Sequence, residues 1–153
     1  RLKSFFDPTT GNSYQSDKAS EAISSGGFFG KGIGEGTLKH TVPEVHTDYV
    51  ISAISEEFGI AIILLLMIIF LLFSYLVFKK ISNEKNNVFK LILFGSIIVI
   101  LLQFFIHLGV NINLLPTTGM TLPFLSYGGS SIISTSLISG IILNLTKRDF
   151  KII

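Results

Sequence analysis

Residues 60–78 contain no charged side chain. At about 1.5 Å per residue, a helix over that run is roughly 28 Å long, close to the ~30 Å hydrocarbon core of a bilayer. That length favours a membrane protein over a greasy soluble domain. A second run, 91–115, is broken only by Gln103, His107 and a few Asn and Gly, and a third, 130–145, is shorter and rich in Ser and Thr. With 48% of residues hydrophobic and 14% charged, the expectation is an all-α integral membrane fold with spanning helices over 59–78, 91–112 and 130–146.

Charge placement sets the orientation. Lys79, Lys80, Lys85 and Lys90 flank the first connection, Lys147, Arg148 and Lys151 follow the third run, and the connection between the second and third runs carries no charge. By the positive-inside rule the 79–90 loop and the 147–153 tail are cytoplasmic, while 1–58 and a 113–129 loop lie outside. The first residue is Arg1 and no signal peptide precedes the polar stretch, so the chain reads as the C-terminal part of a longer membrane protein. There is no cysteine, which removes disulfide frameworks and thiolate metal sites.

Just ahead of the first apolar run, residues 41–59 carry two carboxylates four apart, Glu44 and Asp48. Thr41 and Glu44 have capping-box spacing and Pro43 suits a first turn, which predicts a helix from near Val42. On such a helix Glu44, Asp48, Ser52 and Ser55 share one side. Glu44 is equally well explained as the partner of Thr41, whereas Asp48 has no such local task and is the better candidate for chemistry. Glu56 and Glu57, at the mouth of the apolar run, have to be hydrated or paired.

Other features favour structure over chemistry. The glycines between 26 and 36 resemble a phosphate loop only superficially, because Lys31 is followed by Gly32 instead of Ser or Thr and no strand precedes it. A flexible or closely packed loop against the membrane face is the preferred reading. Gln103, His107 and Asn111 recur every four residues and share a face that cannot look at lipid, so interhelical hydrogen bonding is expected there. Ser131, Thr135 and Ser139 form a small-residue stripe suited to close helix packing. The segment 115–119, LPTTG, has the outline of a cell-wall sorting signal, but two longer apolar runs upstream argue against it. Its Pro and Gly residues predict a turn-rich re-entrant loop buried in protein. His40, His46 and His107 lack metalloprotease spacing.

Four segments in order, GGFFGKGIGEG (26–36), VPEVHTDYVISAISEEFG (42–59), Gln103 and LLPTTGMTLPFLSYGGSS (114–131), closely resemble the SEDS glycosyltransferases of bacterial cell-wall synthesis. PTTGMTLP, with Thr121 before Leu122, is closer to the division branch than to the elongation branch. The resemblance implies a ten-helix polytopic fold, of which this chain holds the last three helices and the large extracytoplasmic loop before them. It implies a bacterial cytoplasmic-membrane enzyme, active on its extracytoplasmic face, that polymerises lipid II, the undecaprenyl diphosphate-linked disaccharide peptide.

The same resemblance implies that Asp48 in the HTD motif is the general base. Glu44 is at most a supporting residue, and Lys31, Lys39, Arg1 or a divalent cation such as Mg or Mn meets the charge of the departing diphosphate. Expected partners are a class B penicillin-binding protein transpeptidase and other divisome membrane proteins. His107 departs from the Asn usual in the family. A lipid II flippase or carrier lined by Gln103, His107 and Asn111 is the alternative, and an inactive truncated remnant is a third reading.

Overall fold

The computed structural model describes residues 14–42 and 45–147, the side chains of Lys39 and His40 excepted. Every regular element among them is helical: α1 (Tyr14–Gly26), α2 (Leu38–Thr41), α3 (Val50–Phe58), α4 (Ile60–Asn83), α5 (Asn87–Asn111) and α6 (Gly129–Lys147).

Helices α4, α5 and α6, of 24, 25 and 19 residues, are long and apolar enough to cross a membrane. Their outward faces carry Leu64, Leu65, Ile68, Leu72, Leu102 and Leu137, all about half exposed or more. Water would penalise a continuous apolar surface of that kind, whereas acyl chains do not. The inner seam runs along α5, where Leu93, Ile97, Ile100 and Phe104 are spaced four, three and four apart and are all buried. That spacing defines one helix face. It packs on Ile63, Phe70 and Val77 of α4 and Ile142 and Leu145 of α6. The Phe70 and Phe104 rings stack with centroids 4.2 Å apart.

The helices extend beyond the uncharged runs. Helix α4 continues through Lys79 and Lys80 to Asn83 and α5 begins at Asn87, so only residues 84–86 join them. Asn86 Oδ1 accepts the Val88 N–H at 2.9 Å and Glu84 Oε1 accepts those of Lys85 and Asn86, which caps α5 locally. Charge marks where lipid can end, not where the backbone stops being helical.

At the N-terminal end of α4, the short helices assemble around a second core of Ala19, Ala22, Leu38, Val42, Val45, Tyr49 and Val110. The expected helix from Val42 is not formed. Helix α2 ends at Thr41, Val42 is extended, residues 45–48 make a turn and α3 begins only at Val50. Thr41 turns its hydroxyl back to Leu38 O at 3.1 Å instead of capping forward. Pro43 and Glu44 lie outside the described residues. Asp48 therefore precedes α3, which carries Ser52 and Ser55 of the expected polar stripe, both fully buried.

The glycine-rich segment has a definite task. Lys31 N and Gly32 N donate to Glu56 O and Glu57 O at 2.9 and 3.1 Å, while Gly27 O accepts from Ile60 N at 2.9 Å. One loop thus takes the orphan carbonyls that end α3 and an orphan amide that starts α4. A Cβ on Gly30 would lie 2.2 Å from Glu57 O and one on Gly59 2.2 Å from Phe28 O. Only residues lacking Cβ let the strands of backbone come this close, and the loop amides so used are not available to cradle a phosphate.

Candidate functional site

Asp48 sits on the 45–48 turn, and distant residues hold that turn by its carbonyls. His46 O accepts from Tyr127 N at 2.9 Å. Thr47 O accepts from Ser126 Oγ at 2.9 Å and from His107 Nε2 at 3.3 Å. Asp48 O accepts from Asn111 Nδ2 at 2.9 Å. In a helix these groups would bond to amides four residues on. Here α5 and the 112–128 segment take them first, which is why the predicted helix gives way to a turn.

Asn111 is the hub. Its Nδ2 also reaches His107 O at 2.8 Å and His107 Nδ1 at 3.2 Å. A carbonyl only accepts, so Nε2 of His107 carries the hydrogen toward Thr47 O and Nδ1 is left to accept from Asn111. On its other side, Asn111 Oδ1 accepts from the Ser52 amide at 3.0 Å and the Ser52 hydroxyl at 2.8 Å. Tyr49, the residue ahead of α3, makes no side-chain cap. The cap of α3 is supplied by another helix.

The 112–128 segment closes over the turn. Ser126 Oγ accepts the Leu122 N–H at 2.8 Å while donating to Thr47 O, so one hydroxyl both folds the 122–126 turn and docks it. Leu122, Pro123 and Ser126 are buried, whereas Leu114, Phe124, Leu125 and Tyr127 of the same segment are exposed. Gly119, at φ 72°, faces the Asp48 carboxylate: a Cβ placed there would be 4.0 Å from Oδ2. The half-buried acid therefore looks onto the LPTTG stretch.

Met120, next to Gly119, lines a groove of about 490 Å³ between α5 and α6. Val99, Leu102, Ile106 and Ile138 give it apolar lining, and Gln103, Ser130, Ser131, Ser134 and Thr135 give it polar lining. The hydroxyls of Ser131, Ser134 and Thr135 bond to carbonyls of their own turn. His107 and Asn111, expected on the same face as Gln103, turn into the turn network instead.

A separate buried carboxylate organises the glycine loop. Glu56, 1% exposed, receives Lys31 Nζ and Thr37 Oγ1 on Oε1, both at 2.8 Å, and the Leu38 amide on Oε2 at 2.9 Å. Burial pushes its pKa up, but the hydrogen bonds from Lys31, the Leu38 and Thr37 amides and the Thr37 hydroxyl outweigh it and hold the carboxyl at about 2. Glu56 is thus an ionised strut at neutral pH.

Of the residues expected at the site, the structure brings Asp48 to the 112–128 segment and commits Lys31 to Glu56. Arg1, Glu44 and the Lys39 side chain lie outside what is described. No group of three or more His, Asp or Glu that could hold a metal occurs among the described residues. Sequence reasoning placed Asn111 on a polar face without its partners and overlooked Ser126. The only available signal was a small polar residue in a loop that had to be covered.

A family model described as a cell cycle protein, FTSW_RODA_SPOVE, matches residues 1–150. The chain is 37% identical over 151 residues to a protein of Caulobacter vibrioides named probable peptidoglycan glycosyltransferase FtsW, covering 97% of this chain and 38% of that relative. Relatives with the same name from Enterococcus hirae and Hydrogenovibrio crunogenus are 39% identical over 142 residues and 41% over 140. Those alignments cover 92% and 87% of this chain and 36% of each relative. The chain spans somewhat over a third of the length of the curated relatives it matches.

Proposed function

The chain belongs to the cell cycle protein family of FtsW, RodA and SpoVE, and on that premise we propose that it supplies the C-terminal part of a peptidoglycan glycosyltransferase polymerising lipid II during division. The observation that carries this reading is the clamped 45–48 turn: three successive carbonyls are held by residues some 60 to 80 positions away, and the Asp48 carboxylate is turned toward Gly119.

In the proposed reaction Asp48 accepts the proton of a sugar 4-hydroxyl as that oxygen attacks the anomeric carbon of a second lipid-linked disaccharide. The bond to the diphosphate breaks, the configuration inverts and the lipid diphosphate leaves with the electron pair. One base suffices, because a diphosphate departs without an acid. A pre-set turn contributes by holding the base where the hydroxyl arrives. Positive charge for the leaving group falls to Arg1, Lys39 or a divalent cation, since Lys31 is held on Glu56. A Mg or Mn ion finds no ligand cluster among the described residues. The setting is the extracytoplasmic face of the bacterial cytoplasmic membrane, with a class B penicillin-binding protein transpeptidase and other divisome proteins as partners.

The test is Asp48→Asn in the full-length protein supplied with lipid II. Loss of a general base costs about 10²- to 10⁴-fold in rate, with membrane insertion unchanged. Glycan strands made at the parental rate by the Asn variant would remove Asp48 from the mechanism. Transbilayer movement of lipid II without strands, from the parent itself, would favour a flippase.

A further inference from the structure

We propose that residues 27–33 are a membrane-interface anchor that seats Phe28, Phe29 and Ile33 at the boundary between headgroups and acyl chains, beside the start of α4. The three side chains are 59%, 86% and 80% exposed. The only charge in the segment, Lys31, is drawn inward onto Glu56 at 2.8 Å. What remains pointing outward is apolar.

The depth follows from the backbone. Gly27 O accepts from Ile60 N at 2.9 Å and Phe28 O from Ala61 N at 3.5 Å, so the loop lies level with the first turn of a helix long and apolar enough to cross a bilayer. Phe and Ile side chains can sink at that level into the boundary between headgroups and acyl chains, as the apolar face of an interfacial segment does. The same rim carries Phe58 and Ile60, 43% and 39% exposed, and below them Leu64 and Leu65. The loop surface is therefore continuous with the exposed apolar face of α4, a helix long and apolar enough to cross a bilayer, and that continuity favours a lipid surface as its occupant. The loop is also rigid. Its bonds to Glu56 O, Glu57 O and Ile60 N, with no Cβ at Gly30 or Gly59, present the side chains preformed, so little ordering entropy opposes insertion. The anchor fixes the height of α3, and so of the 45–48 turn ahead of it, above the bilayer. It requires α4 to span a membrane and does not depend on glycosyl transfer.

This chain has no cysteine, so nitroxide labels can be placed singly by Phe29→Cys and Ile33→Cys in the full-length protein, any thiol elsewhere replaced by serine, in proteoliposomes. Collisions with oxygen, which dissolves in lipid, are compared with collisions with a water-soluble nickel chelate. Leu72→Cys, midway along α4, and Ser24→Cys, exposed on α1, serve as references. The expected result at both loop positions is an oxygen-to-nickel ratio several-fold above that of Ser24 and below that of Leu72. A ratio equal to that of Ser24 overturns the anchor by placing the loop in water. Shielding from both reagents overturns it by placing the loop under protein. A Leu72 label that meets nickel overturns the span and the anchor together.

Discussion

Asn111 caps a helix to which it does not belong: its Oδ1 takes both the amide and the hydroxyl of Ser52, 59 residues earlier, at 3.0 and 2.8 Å. The same side chain holds Asp48 O through its nitrogen. A single amide therefore sets both the turn that bears the acid and the helix that follows it.

Asn111→Ala leaves the Ser52 amide and the Asp48 carbonyl without this partner in a buried site, which is expected to cost roughly 2–4 kcal/mol. Asn111→Asp keeps the acceptor toward Ser52 but removes the donor and sets a carboxylate against two carbonyls, so it is expected to be similarly damaging. Denaturant unfolding of the full-length protein in detergent measures both. An Ala variant within about 0.5 kcal/mol of the parent would show that the clamp contributes nothing.

Glu56 predicts a pH dependence with a definite sign. Its carboxyl is held at about 2, below the ordinary 4.5, so the stabilisation is full above about 4.5 and is lost as pH falls from there toward 2. The difference between the two values corresponds to roughly 3 kcal/mol. Glu56→Gln should lower stability at neutral pH and flatten the acid limb, because Gln cannot retain the ion pair with Lys31. Unfolding midpoints of the two proteins compared at neutral and acid pH check this. Parallel acid limbs would assign the loss to other carboxylates.

Gly59 has φ 82° and ψ 176°, a conformation open essentially only to glycine. Gly59→Ala should cost at least about 2 kcal/mol, because a Cβ would meet the Phe28 carbonyl as well as adopt a strained backbone. Gly95→Ala, inside α5 with nothing within 4 Å of its Cβ, should change stability by less than about 1 kcal/mol. Thermal unfolding of the two variants side by side separates the positions. Equal effects would mean that the close approach of the loop to the α3 and α4 junction is not maintained.

The glycine segment and the acidic stretch show how far pattern reading carries. The spacing over 26–36 argues against a phosphate loop and leaves a flexible or a packed loop open, and the structure decides for packing, with partners at Glu56, Glu57 and Ile60. A buried role for Glu56 was legible as a need for pairing, but Lys31, 25 residues away, could not be chosen from other cations by sequence. The Thr41 and Glu44 capping signature misled because it scores local partners alone. His107 and Asn111 were correctly placed on a face needing partners, while their separation from Gln103 depends on which neighbours the bundle brings near.

Three long apolar helices are legible from composition along the chain, since the length of a charge-free run is a local property and each residue adds independently to the free energy of burial in lipid. That residues 45–48 form a turn, and where the turn faces, follows from long-range packing. Their carbonyls had two sets of possible donors, amides four residues on or side chains and an amide from α5 and the 112–128 segment, and the distant set prevailed. Competition of that kind is settled by which groups the folded chain brings together, and no spacing within one stretch encodes it.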